Sequence, residues 1–239
     1  MVGIFDKLLV SDLEGTITPN EFWEEVAEDF NLHTHTITAR AMAGELDFFE
    51  SLKARVELVR GMDAKALKRA GETVEPWPNV PDFFDALHYN GFITVIVSGG
   101  FDFLVERVAK NLGVRHWAAN RLIVEDGAVA GVMPLVDGEG KRRFVEELQQ
   151  HYGIPPERTL ILGDGANDLP MMGRGFPIGV DAKPVVAGFA KLAITGRDLN
   201  ASLLEHPKIK SWMQQDLIQT QMAEQAKAAN AGGVAQCVA

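Results

Sequence analysis

Cysteine is almost missing from these 239 residues; the only one, Cys237, stands near the end. An intramolecular disulfide is therefore excluded, and nothing marks an oxidising compartment. Missing too is any run approaching the ~20 apolar residues that a membrane-spanning helix needs. Residues 1–7 lack the basic start and apolar stretch of a signal peptide, so the expected location is cytoplasmic. Positive charge is short: 23 Lys and Arg face 33 Asp and Glu, a net charge of −10. That deficit suits neither a nucleic-acid partner nor an anionic membrane, since both require a basic face. Anionic small molecules stay open, because a few local cations or a metal reverse the field at one site. No repeat of fixed period is present.

What is present is ordinary globular composition, 46% hydrophobic. The length suits one substantial domain with a modest insertion. Strand and helix patterns alternate, which predicts an α/β fold. Lys7-Leu8-Leu9-Val10-Ser11 is a short apolar strand running into a charged turn at Asp12. Residues 21–73 hold no convincing strand and predict helices over 21–30, 35–43, 48–59 and 64–72. The proline-rich stretch 75–81 breaks helix and marks a boundary. Beyond it the pattern predicts a helix over 82–89, a strand over 92–97 and a helix over 102–112. A hairpin follows over 121–131 around Asp126-Gly127, then a helix over 140–151 and a strand over 159–162. The expected domains are a Rossmann-like core (1–18 and 76–215), a small helical cap inserted after the first strand (19–75) and a partly disordered C-terminal helix or tail (216–239). Three predicted strands end in polar, glycine-marked loops. In an open parallel sheet such carboxyl-end loops gather into the ligand crevice, and the helical block is expected to fold over it.

Four clusters carry chemistry. Asp12-Leu13-Glu14-Gly15-Thr16 places two acids just past a buried strand. One carboxylate can attack phosphorus and form an acyl phosphate; the other can protonate the leaving oxygen and then activate water. The competing interpretation is an exposed acid-glycine turn. Ser98-Gly99-Gly100 can cradle a phosphate with backbone N–H groups and a hydroxyl, or serve as an ordinary strand-to-helix turn. Gly163-Asp164-Gly165-Ala166-Asn167-Asp168 supplies more polar groups than helix capping needs. Asp12 and Asp164, from adjacent strand ends, could share Mg²⁺, a hard ion, with Asn167 and Asp168 supporting. Lys141 stands at a helix start, where it opposes the macrodipole; a phosphate beside Asp12 is a reason for it. Phosphoryl transfer is mainly positioning and charge stabilisation, and each requirement has a candidate.

This ordered set resembles the haloacid dehalogenase superfamily. The stretch 41–48, followed by Ser51-Leu52-Lys53-Ala54-Arg55-Val56, and Ala119-Asn120-Arg121-Leu122 are similar to phosphoserine phosphatases; the likeness runs over about 7–195. The resemblance implies Asp12 as nucleophile and Glu14 as general acid/base, where most members carry Asp. It implies Mg²⁺ on Asp12, the main-chain carbonyl of Glu14 and Asp164, supported by Asn167 and Asp168. Ser98, Gly99 and Lys141 would hold the phosphate. Glu21 would meet a substrate ammonium and Arg55 its carboxylate, while Met42 and Phe48 would close over the substrate or serve as cap core.

The expectation is therefore a Mg²⁺-dependent hydrolase of a small phosphorylated metabolite, phosphoserine first, in serine biosynthesis. Chains that share Asp-Leu-Glu-Gly and pass the phosphoryl group to homoserine make transfer to an alcohol the alternative. Another small phosphate ester and a catalytically silent metabolite-binding protein are further alternatives. His33-Thr34-His35 is weak evidence for zinc. Trp23, Trp77, Trp117 and Trp212 are expected to pack.

Overall fold

The computed structural model describes residues 6–213. The tail prediction for 216–239 lies outside them. The described residues fall in two units that divide after Leu199. The second contains a π-helical turn, Asn200–Leu204.

Seven strands form one sheet in the order β4-β3-β2-β1-β5-β6-β7. They are β1 (Lys7–Ser11), β2 (Phe92–Phe101), β3 (His116–Glu125), β4 (Ala128–Met133), β5 (Thr159–Gly163), β6 (Phe176–Val180) and β7 (Leu192–Ile194). All neighbours pair parallel except β3 with β4, which is antiparallel. Covered on both sides, the central strands are near-continuous apolar runs. One face packs Leu8, Val10, Val95, Val97 and Ile161 against Val145, Leu148, Met171 and Met172 from the helices. The alternate spacing of these strand residues is the two-residue period of a strand.

The first strand leads into four helices, α1 (Phe22–Asp29), α2 (His35–Met42), α3 (Phe48–Leu58) and α4 (Ala64–Ala70). Then come α5 (Val80–Tyr89), α6 (Asp102–Asn111), α7 (Gly138–Tyr152), α8 (Leu169–Met172) and α9 (Pro184–Phe189). The segment after α3 is stapled to β4: Gly61 N–H donates to Val129 O at 2.8 Å and Val129 N–H to Met62 O at 2.9 Å. The β3–β4 turn has φ of 50° at Asp126 and 82° at Gly127, the double positive φ of a type I′ turn.

Two expectations need correction. The strand expected over 92–97 runs on to Phe101, taking Ser98 and Gly99 into the sheet. The helix expected from 82 starts at Val80, because Pro81 fits the first turn, where no N–H is required.

Candidate active site

The order β2-β1-β5 sets the carboxyl ends of these three strands side by side. Val10 stands opposite both Val95 and Ile161, and Asp12 N–H donates to Leu162 O at 3.0 Å. Asp12, Ser98 and Asp164 therefore meet at one edge of the sheet, and all three line one pocket. At Gly15 the chain turns with φ +75°, and a Cβ there would stand 2.9 Å from Asp164 Oδ2. Only glycine combines that φ with that approach.

Lys141 is the fourth residue of α7 and has no exposed surface. Its ammonium lies 2.9 Å from Asp12 Oδ1 and 2.7 Å from Asp168 Oδ1. Burial opposes that charge, but Asp12 and Asp168 outweigh it and hold the lysine above its ordinary range. Asp168 Oδ2 accepts from the Asp164 and Gly165 N–H groups at 3.0 and 3.1 Å. Both Asp168 oxygens are thus occupied by protein, which suits a support for the loop and for Lys141. Asp12 is pushed well up from its usual value by burial and by repulsion from Asp168 and Asp164, against the pull of Lys141. Asp164 is raised by burial, with Lys183 opposing. Oxygens of Asp12, Asp164 and Asp168 lie within 4.8 Å of one another. Crowded, desolvated, all-oxygen carboxylates are the donor set a small hard dication takes.

Glu14 sits against the helical block. Its Oε1 accepts the Phe22 N–H, first of α1, at 2.7 Å, and its Oε2 lies 3.5 Å from Ser98 Oγ. Burial pushes its carboxyl up to about 7, against that N–H. A carboxyl titrating there can give and take a proton at neutral pH.

The α3 helix supplies the opposite wall. Asp47 and Glu50 form a capping box at its start. Phe48, Ser51, Leu52 and Arg55 recur at three- and four-residue spacing, share one face and line the pocket. The Phe48 ring lies against Gly99. Arg55 Nη2 donates to Thr38 Oγ1 at 3.1 Å, while its Nε is buried without a partner. Burial lowers its pKa, with Glu21 and Glu14 opposing.

Of the residues singled out from sequence, Asp12, Glu14, Glu21, Phe48, Arg55, Ser98, Gly99, Asp164 and Asn167 line this pocket. Lys141 and Asp168 stand behind Asp12. Met42 is not brought in: it ends α2 with 85% exposure. Lys183 was missed. Its ammonium lies 3.2 Å from Asp164 Oδ2 and 3.7 Å from Glu21 Oε1. Its position in the loop after β6, another carboxyl-end loop, was the available signal. Trp23, expected only to pack, also lines the pocket. The His33 and His35 rings lie 5.7 Å apart and exposed.

The sequence profile of the haloacid dehalogenase-like hydrolases matches residues 7–175, and the chain belongs to that family. Within it, the chain is 34% identical over 205 residues to a phosphoserine phosphatase of Methanocaldococcus jannaschii, covering 82% of this chain and 96% of that one. It is 34% identical to the phosphoserine phosphatase of Idiomarina loihiensis, covering 80% of this chain and 90% of that one. It spans about half, 47%, of a Mycobacterium tuberculosis relative to which it is 35% identical over 79% of its own length. A substrate-bound phosphoserine phosphatase complex superposes with a TM-score of 0.75 at 32% identity, covering 82% and 95% of the two chains. A phosphoserine phosphatase solved as a phospho-aspartyl intermediate analogue superposes with a TM-score of 0.75 at 31% identity, covering 81% and 97%.

Proposed function

We propose that this chain is a Mg²⁺-dependent phosphatase of phosphoserine, with Asp12 as nucleophile and the helical block of 19–75 as a cap over the site. The observation that carries the substrate is Arg55, whose buried, unpartnered Nε lines the pocket that contains Asp12. A half-buried guanidinium with a buried, open Nε donor calls for an anionic acceptor, and a carboxylate fits its planar fork. Glu21, on the same pocket, is the complementary anion for an ammonium.

An Asp12 carboxylate oxygen attacks phosphorus as the P–O bond to serine breaks. The departing alkoxide takes the proton of the Glu14 carboxyl. Glu14, now ionised, removes a proton from a water that attacks the aspartyl phosphate. The P–O bond to Asp12 breaks, and phosphate leaves with Asp12 and Glu14 restored. Lys141 neutralises charge beside Asp12 throughout, and Ser98 and Gly99 hold the phosphoryl oxygens. Mg²⁺ on Asp12, Asp164 and the Glu14 carbonyl would supply further positive charge to those oxygens.

The test is phosphate release from L-phosphoserine with Mg²⁺ and with EDTA, beside a panel of other phosphate esters. Metal-dependent release preferring phosphoserine is expected. Release from other esters alone would remove the substrate assignment and keep the Asp12 chemistry. Formation of homoserine phosphate when homoserine is added would make the reaction a transfer.

A further inference from the structure

Three residues of β2, Ser98 to Gly100, stand opposite the single residue Ala119 of β3: Val97 pairs with Ala118 and Phe101 with Asn120. Such a bulge re-aims backbone groups, so something must hold them where they point. Asn120 is fully buried at that place. Its Nδ2 donates to Gly99 O at 2.8 Å and to Val136 O at 3.1 Å. Its Oδ1 accepts from Leu135 N–H at 2.6 Å and Val136 N–H at 2.8 Å. A carboxamide has two donor hydrogens and two acceptor lone pairs. All four are used, and the two accepted N–H bonds allow only one orientation of the amide.

The consequence reaches the pocket through one peptide unit. In a planar trans peptide the C=O and N–H point in opposite directions. With Gly99 C=O held by Asn120, Gly100 N–H must point away from it, and it donates to Ser98 Oγ at 2.9 Å. Having accepted that bond, the Ser98 hydroxyl has one proton to donate, and it points to Glu14 Oε2, 3.5 Å away on the pocket wall. Space is tight there: a Cβ on Gly100 would stand 2.2 Å from Glu14 Oε2. The other half of the same carboxamide grips residues 135–136, directly before Asp137, which caps the helix that carries Lys141. One side chain thus ties the Ser98 loop to the start of the lysine helix.

We infer that Asn120 is a positioning residue for phosphoryl transfer. It fixes the Gly99–Gly100 peptide, and through it the Ser98 hydroxyl, without touching substrate. The inference rests on the phosphatase reading. It goes beyond a packing role because the bonded carbonyl belongs to the phosphate loop itself.

The experiment compares wild type with Asn120→Ala, each Mg²⁺-loaded. Inorganic phosphate binding is measured by calorimetry, and L-serine as an inhibitor of phosphoserine turnover. Losing the bond to Gly99 is expected to weaken phosphate binding about three- to tenfold, with kcat falling at least as far. L-serine, which meets Glu21 and Arg55, should inhibit both proteins alike. Unchanged phosphate binding, or equal weakening of phosphate and serine, overturns the inference. A wild type that binds no phosphate overturns the phosphatase reading and the inference together, which sets that failure apart. If Asn120→Ala does not fold, Asn120→Asp keeps both accepted bonds and loses the donated ones to Gly99 O and Val136 O. Hydrogen exchange at the Gly100 amide should then speed up about three- to tenfold while the Leu135 and Val136 amides hold. An unaltered Gly100 amide overturns the inference.

Discussion

At the scale of single residues the site is a problem of like charges under burial. Asp12 and Asp168 share one buried ammonium, Asp164 crowds them with the exposed Lys183 as its ion-pair partner, and the cost shows in the raised values of Asp12 and Asp164. Asp12→Asn removes the carboxylate proposed to form the acyl phosphate. Turnover should fall by at least about a thousandfold, since an amide is no nucleophile here; retained phosphate release would sink the mechanism. In the proposed mechanism Glu14 gives a proton in the first half-reaction and takes one in the second. Glu14→Gln should cost about 10²- to 10⁴-fold on phosphoserine, whose alkoxide needs a proton. With p-nitrophenyl phosphate the leaving group needs none, so Asp12 should still be phosphorylated and only its hydrolysis should slow. Stopped-flow should show a burst of one nitrophenolate per site. Equal loss on both esters without a burst would remove Glu14 as the acid.

At the scale of elements, α3 is the part whose sequence, cap and function meet. Its Asp47 accepts from Glu50 N–H at 2.7 Å and Glu50 answers at the Asp47 N–H. The helix so started carries Phe48, Ser51 and Arg55 to the pocket. Asp47→Ala should cost about 1 kcal/mol, which lowers the melting temperature by about 2–4 °C at this size. Arg55→Lys keeps the charge and loses the fork. It should raise KM for phosphoserine about tenfold and leave an aryl phosphate unaffected; equal effects would take Arg55 out of recognition. Elements of this kind were legible in the sequence, because a helix with caps and a 3.6-residue apolar period announces itself locally. The four helices of residues 21–73 and strands β1 and β5 follow such patterns closely. Strands β6 and β7 went unread. Pro177 and Gly179 interrupt the five residues of β6, against the usual strand signals, and β7 has only three residues. Pairing within the sheet, not local preference, makes them strands. In the site, Asp12, Ser98 and Asp164 were legible because each lies in or beside a recognisable turn, whereas Arg55 stood out only through the family resemblance, its local sequence being that of a helix-surface charge. Lys183 was not, since its loop follows the strand that was missed. The reach of Glu14 to Phe22 N–H was not legible either, as it is a tertiary bond across eight residues.

At the scale of the whole molecule, the sheet order brings residues 12 and 164 to one edge, and helix α7 and the turn after β5 add Lys141 and Asp168. The fold therefore concentrates negative charge there and depends on a cation to relieve it. Burial raises the Asp164 pKa, with Asp168 adding to the rise and Lys183 opposing it, so the metal-free fold carries a carboxylate it disfavours. Asp164→Asn removes that charge along with a proposed metal ligand. The variant should be as stable as metal-free wild type or more so, and inactive. Wild type should gain from Mg²⁺ by mass action, about 2.7 kcal/mol at a concentration one hundred times Kd, seen as a rise in melting temperature that EDTA reverses. In Asp164→Asn that rise should vanish, and melting curves with and without Mg²⁺ should coincide. A variant that keeps the Mg²⁺-dependent rise would mean that the ion binds elsewhere, and the charge crowding at Asp12 would then need another explanation.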